Sequence, residues 1–188
     1  MTVPMTLPVS FVNRLTLKPL NALYLYLQKR QTGMHVMHQT AFLYPLDHLL
    51  EWNRLYGPRG FYQYQVVFNL ASSREAICEM LTEIKRAHQG SCMAVLKTFT
   101  ERQAVGMMSF VKPGVTLALD FPNQGMVTLK LLTRLDAITQ AAGGRVYLAK
   151  DGRMSSSLFE QSYPRATSFL NYRDSGISSA MSRRLMGG

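Results

Sequence analysis

Apolar and polar positions along the middle of the chain change period several times, and each change marks an element. Phe61–Phe68 (FYQYQVVF) is aromatic and β-branched, which predicts a strand. Ile77, Met80, Leu81 and Ile84 then recur at helical spacing and form one apolar stripe. Ser72, with Glu75 three residues on, has the pattern of a capping box, and Gly90 is the expected stop. Cys92–Thr100 (CMAVLKTFT) reads as a second strand and Val115–Phe121 (VTLALDF) as a third, closed by Pro122-Asn123. Gly125–Ala142 returns to helical spacing, with Leu131, Leu135, Ile138 and Ala142 on one face, and Gly143-Gly144 ends it. Arg145–Lys150 (RVYLAK) reads as a fourth strand. Before this block, Val12, Leu15, Leu20, Leu23 and Leu27 predict a helix over 10–30, kinked or divided at Pro19. Residues 33–60 read as irregular, with a helical stretch near Leu46–Tyr56 and a turn at Gly57-Pro58-Arg59-Gly60.

The order strand, helix, strand, strand, helix, strand predicts an α+β fold. It is the ferredoxin-like βαββαβ arrangement, an antiparallel sheet with both helices on one face. The expected organisation is an N-terminal helical or irregular segment over 1–60 packing on a ferredoxin-like domain over 61–154, followed by a helical tail over 155–188.

Side chains alternate across a strand, so a helix-covered face separates from an open one. Tyr62, Tyr64, Val66 and Phe68 belong under the helices, as do Val115, Leu117, Leu119 and Phe121. In the second strand Ala94 and Leu96 are paired with the helices, and in the fourth Val146 and Leu148. The open face then gathers Gln63, Gln65, Lys97, Phe99, Thr116, Asp120 and Tyr147, with Lys150 at the end of its strand. Amides, an ammonium, a hydroxyl, a carboxylate and rings suit a hydroxyl-rich ligand. A sheet face turned to water is polar in any case, and alternation alone leaves both readings open.

Composition narrows the class. A hydrophobic fraction of 47% and a charged fraction of 17% over 188 residues describe a globular chain. No apolar run reaches membrane-spanning length, and MTVPMTLPVSFVNRL has no basic stretch ahead of an apolar core. With only Cys78 and Cys92 there is no disulfide framework, and the expected compartment is the cytoplasm. The net charge of +10 suits an anionic partner such as nucleic acid, a phosphate-bearing substrate or a membrane surface. It equally suits a solvated basic surface or one facing an acidic neighbour. The basic residues are spread out, with a small cluster at Arg183-Arg184, and the tyrosines of the first strand belong under the helices rather than on the open face. Both features speak against nucleic acid as the partner. His35 and His38 are three apart and His48 follows, but no acidic or cysteine partner completes a metal site, so no metal is expected.

Three runs carry a resemblance to a known family. PLDHLLEWNRLYGPRGFYQYQ (Pro45–Gln65), VTLALDFPN (Val115–Asn123) and GGRVYLAKDGRM (Gly143–Met154) resemble FAD-linked oxidases of the vanillyl-alcohol-oxidase superfamily. Within it the decaprenylphosphoryl-ribose oxidase group is nearest, with aldonolactone oxidases such as arabinonolactone oxidase more distant. The resemblance extends from about Leu7 to Leu185. It implies the C-terminal, substrate-facing cap domain of an enzyme that moves hydride from a sugar carbinol to FAD. By position, Lys150 matches a lysine at the flavin's pyrimidine edge and Tyr147 a tyrosine beside the same flavin, so both are implied as catalytic and cofactor-binding. Gln63, Gln65, Lys97, Phe99 and Thr116 match the substrate pocket, and Asp120 a structural aspartate. The chain departs from the pattern at Ala94 and Thr116, where asparagine is usual, and at Ala118, which leaves a less amide-rich pocket.

The resemblance also implies partners. No Gly-rich flavin-binding segment precedes residue 10, so the FAD-binding domain is expected to be absent from this chain and supplied by a separate domain or chain. The chain alone is expected to be inactive, and a non-catalytic remnant is the alternative. A sugar or sugar-lipid is the expected substrate. A lipid-linked one would bring the protein to the inner face of a membrane.

Overall fold

The computed structural model describes residues 2–31, 33–34, 36–40, 49–91, 93–102, 104–174 and 176–187. They form two compact units: residues 1–61 with 122–124, and residues 62–121 with 125–188.

The first unit holds helix α1 (Arg14–Arg30) and a 3₁₀ turn at Trp52–Tyr56. Asn13 caps α1: its side chain accepts the N–H groups of Leu15 at 2.9 Å and Thr16 at 3.2 Å, while Thr16 Oγ1 accepts the Asn13 N–H at 3.3 Å. The helix runs through Pro19 undivided. So near the N-terminal end, proline removes one ladder bond without stopping the helix. Val12, Leu17 and Tyr56 form a small core with Trp52 and Phe61, and the Tyr56 and Phe61 rings stack with centroids 4.4 Å apart. Of the helix expected at Leu46–Tyr56, residues 46–48 lie outside the described residues, 49–51 are not helical and Trp52–Tyr56 form the 3₁₀ turn.

The second unit carries the sheet. Strands β1 (Phe61–Phe68), β2 (Ala94–Phe99), β3 (Gly114–Pro122) and β4 (Arg145–Val146) lie in the order β2-β3-β1-β4. The sheet is antiparallel, with β2 paired to β3 and β4 paired to β1. Helices α2 (Leu70–Arg86) and α3 (Met126–Ala141) pack on each other and form the crossovers of a ferredoxin-like α+β fold. Tyr64, Val66, Phe68, Leu117, Leu119, Phe121 and Val146 meet Ala76, Met80, Ile84, Leu131, Leu132, Leu135 and Ile138 in one core. Helices α4 (Ser156–Ser162), α5 (Ala166–Leu170) and α6 (Ala180–Met186) follow, and Leu158, Phe159, Tyr163, Ala166 and Leu185 join the same core.

Several local expectations change. Helix α2 starts two residues before Ser72, and its cap is Asn69 without a side-chain bond. The Ser72 hydroxyl instead donates to the Ala142 carbonyl at 3.1 Å, tying the start of α2 to the end of α3. The buried stripe of α2 is Ser73, Ala76, Met80 and Ile84, while Leu81 is exposed. The chain turns at His88, with φ of 52°, before it reaches Gly90. Strand β4 stops after Val146, because Leu148–Lys150 wind into a 3₁₀ turn. Gly114 is required where it stands. Its φ is +143°, and a Cβ there would lie 1.9 Å from the Phe68 carbonyl oxygen.

Candidate functional site

Strand registers build the site on the helix-free face. Lys97 of β2 lies opposite Thr116 of β3. The Gln65 amide of β1 donates to Thr116 Oγ1 at 3.2 Å. On the other side of β1, the Tyr147 N–H donates to the Gln65 carbonyl at 2.9 Å, one residue beyond the Val66–Val146 pair. Lys97, Thr116, Gln65 and Tyr147 therefore form one row across β2, β3 and β1 to the residue that follows β4.

A second group lies farther along the face. Gln63 hydrogen-bonds the Asp120 carboxylate, and the Lys150 ammonium lies close enough to act on it. Asp120 is 3% exposed, and its Oδ2 has no hydrogen-bond partner among the described residues. Burial pushes the Asp120 carboxyl above the usual carboxylate range, while the Gln63 bond and the Lys150 charge pull it down. Its backbone N–H donates to Ser91 Oγ at 2.8 Å.

The third group is aromatic. Phe110, in the β2–β3 connection, packs on Tyr147 with centroids 4.6 Å apart and on Phe99 at 6.3 Å. Arg145 donates to the Ser109 carbonyl at 2.7 Å, so it pins the connection next to this ring set. Burial, and then the nearby Arg145 charge, lowers the pKa of Lys112 on the same connection.

The turn that carries Lys150 is held from below. Asp151 Oδ1 accepts the N–H groups of Arg153 at 2.8 Å and Met154 at 2.7 Å. Asp151 Oδ2 pairs with Arg184 of α6 at 2.8 Å. Gln63, Lys150 and Arg153 line a recess of about 20 Å³, the size of a water rather than of a sugar. A larger ligand would rest on the platform and need a roof from elsewhere.

The structure thus gathers Gln63, Gln65, Lys97, Thr116, Tyr147 and Lys150 on one face, with Phe99 at its end. Lys150 sits on a 3₁₀ turn instead of a strand end. Phe110, Ser91, Asp151 and Arg184 were not expected there. Phe110 stands in a connection without a period, and its one signal was a large ring shortly before a strand. His35, His48 and Cys92 lie outside the described residues. Among the described residues no group of three or more His, Cys, Asp or Glu could hold a metal ion.

Comparison with known proteins adds a direction. No family model matches the chain. Over 193 aligned residues, 98% of the chain, it is 33% identical to a decaprenylphosphoryl-β-D-ribose oxidase of Mycolicibacterium smegmatis, and the match covers 40% of that protein. Over 85 residues, 43% of the chain, it is 36% identical to an uncharacterized protein in the mprA 5′ region of Streptomyces coelicolor, covering 23% of it. Nearly the whole chain is therefore similar to a stretch of an oxidase named for a polyprenylphosphoryl ribose, and it spans about two fifths of that relative's length.

Proposed function

We propose that the chain is the substrate-facing part of an FAD-dependent oxidoreductase that oxidises a carbinol of a sugar, sugar-lipid or aldonolactone. The similarity along 98% of the chain to an oxidase acting on a ribose derivative carries this reading. The helix-free face supports it, since it combines polar groups, two lysines and rings on strands and on the turn and connection packed against them.

The residues suit one side of a flavin. A lysine and a tyrosine border a platform next to a buried carboxylate oxygen that has no hydrogen-bond partner among the described residues. Bound FAD would supply the hydride acceptor that no side chain provides. In this reading Lys150 would hold a fixed positive charge at the flavin's pyrimidine edge. Tyr147, which packs on Phe110, would hold the same ring system from beside it. Gln63 and Gln65 offer donors and acceptors to sugar hydroxyls, and Thr116, expected on the open face but buried, holds the Gln65 amide from beneath. Lys97 meets a hydroxyl or phosphate oxygen, and Phe99 gives the sugar a ring to pack on. Asp120 holds Gln63 and balances Lys150 without touching the reacting carbon. Asp151 and Arg184 act as positioning residues for the Lys150 turn.

A flavin-binding domain or chain is the required partner. The test is co-expression with the portion of the mycobacterial relative that this chain does not match. Bound flavin should appear in the visible spectrum of the mixed preparation and bleach when a sugar-lipid or aldonolactone is added without oxygen. Lys150→Ala should slow the bleaching about a hundredfold or more, whereas Lys97→Ala should mainly raise the substrate concentration required. Bleaching at an unchanged rate in Lys150→Ala would overturn the assignment. So would an assembled, flavin-loaded preparation that none of these substrates reduces.

A further inference from the structure

Helix α1 presents an apolar surface that its own unit does not cover. Leu15, Leu20, Leu23, Tyr24, Tyr26 and Leu27 are 48–86% exposed. At 100° per residue these six side chains fall on one side of the helix, and Lys18, Asn21, Gln28 and Lys29 on the other, together with the exposed Leu25. The polar side is cationic: the helix contains no Asp or Glu, and residues 1–46 contain none either. Lys29 and Arg30 close its last turn, with the Arg30 guanidinium 4.8 Å from the centre of the Tyr26 ring.

An exposed apolar stripe of this extent marks a contact surface, and the charge decides what it contacts. A wide Leu and Tyr face, bordered along one edge by the side that carries Lys18 and Lys29 and free of carboxylates, matches the boundary of an anionic bilayer. There the apolar side chains enter the acyl region, the tyrosines sit at headgroup level and the ammonium groups meet lipid phosphates. With 17 residues α1 is about 25 Å long, and among the described residues no helix is long and apolar enough to cross a membrane. The geometry is that of a helix lying in the plane of the membrane surface.

We infer that α1 is a membrane-surface anchor that binds anionic lipid bilayers through Leu20, Leu23 and Leu27 with Lys18 and Lys29. The inference does not depend on the proposed oxidation. It is compatible with it, because a lipid-linked sugar resides in such a surface.

The test is flotation of the 188-residue chain with vesicles of pure phosphatidylcholine, or of phosphatidylcholine with about a third phosphatidylglycerol, at low and high salt. The expected result is at least tenfold stronger binding to the anionic vesicles, weakened by salt. Reversing both lysines, Lys18→Glu with Lys29→Glu, should weaken it about twentyfold or more, since each basic residue near such a surface contributes roughly fivefold. Leu23→Glu with Leu27→Glu should abolish it. All four positions are exposed, so circular dichroism should remain that of the parent. Equal binding to both vesicle types, or none to either, would overturn the inference. So would sedimentation showing that the apolar face is occupied by a second copy of the chain, or by a flavin-binding chain, in assemblies that lipid does not disrupt.

Discussion

Asp120 holds an electrostatic conflict on the face. Burial raises its pKa above 3.8, with Gln63 and Lys150 opposing. A raised value means that the folded chain keeps a proton the unfolded chain has lost. Stability is then fullest below the unfolded value and declines as pH rises through the folded one. Asp120→Asn keeps the shape and removes the titration, so the decline as pH rises above the usual carboxylate range should flatten. Urea midpoints over that rise in pH measure it, and an unchanged slope would mean that Gln63 and Lys150 already offset the burial. At this scale the sequence was informative where side chains follow the two-residue period of a strand. Gln63, Gln65, Thr116 and Tyr147 could be assigned to one face because each neighbour was apolar. Phe110 and Ser91 could not, since connections have no period and their partners are fixed only by the folded path.

Strand β4 shows what decides an element's length. The run RVYLAK has strand composition throughout, yet only Arg145 and Val146 pair with β1. Composition records what a pleated surface tolerates, whereas pairing depends on where the chain turns. Here Asp151 and Arg184 hold a turn that begins directly after Tyr147. The Val146 carbonyl accepts the Tyr163 hydroxyl at 2.6 Å, and Arg145 lies 5.1 Å from the centre of that ring. A tyrosine from α4's C-terminal end thus seals the β4 margin. Burial is the main cause raising the Tyr163 pKa from 10.0 to about 12. The folded chain therefore keeps this proton longer than the unfolded chain, and stability falls as pH rises from about 10 towards about 12. Tyr163→Phe should lower stability at neutral pH by about 1–2 kcal/mol through the lost bond. It should also soften the alkaline fall, which denaturation at several pH values would reveal. An identical alkaline profile would assign that fall to Tyr64, whose pKa burial also raises.

Among the described residues there are two cores of unequal size. One rests on Val12, Leu17 and Tyr56; the other includes β1, β3, α2, α3 and the three C-terminal helices. Local stability follows buried apolar contact. Amides of α1 should therefore exchange with deuterium at least tenfold faster than those of β1 residues 64–68 and of α3. Equal protection would mean that the chain opens only as one cooperative body. The ferredoxin-like order was readable because every sheet element carries its own period. The first unit was less so: its helix rests on a cap at Asn13 and one turn of core, and spacing alone exposes neither.

Strand β2 forms an outer margin of the sheet, and Lys97 is the sole charge in its AVLKTF run. Its main-chain groups on the free side offer a template for another copy to zip onto, and a lysine there is a common guard against such stacking. The residue proposed to greet the ligand is thus also a gatekeeper of solubility. Replacing it to retune specificity would lift that guard, and precipitate in the tube could then be mistaken for a failure to bind.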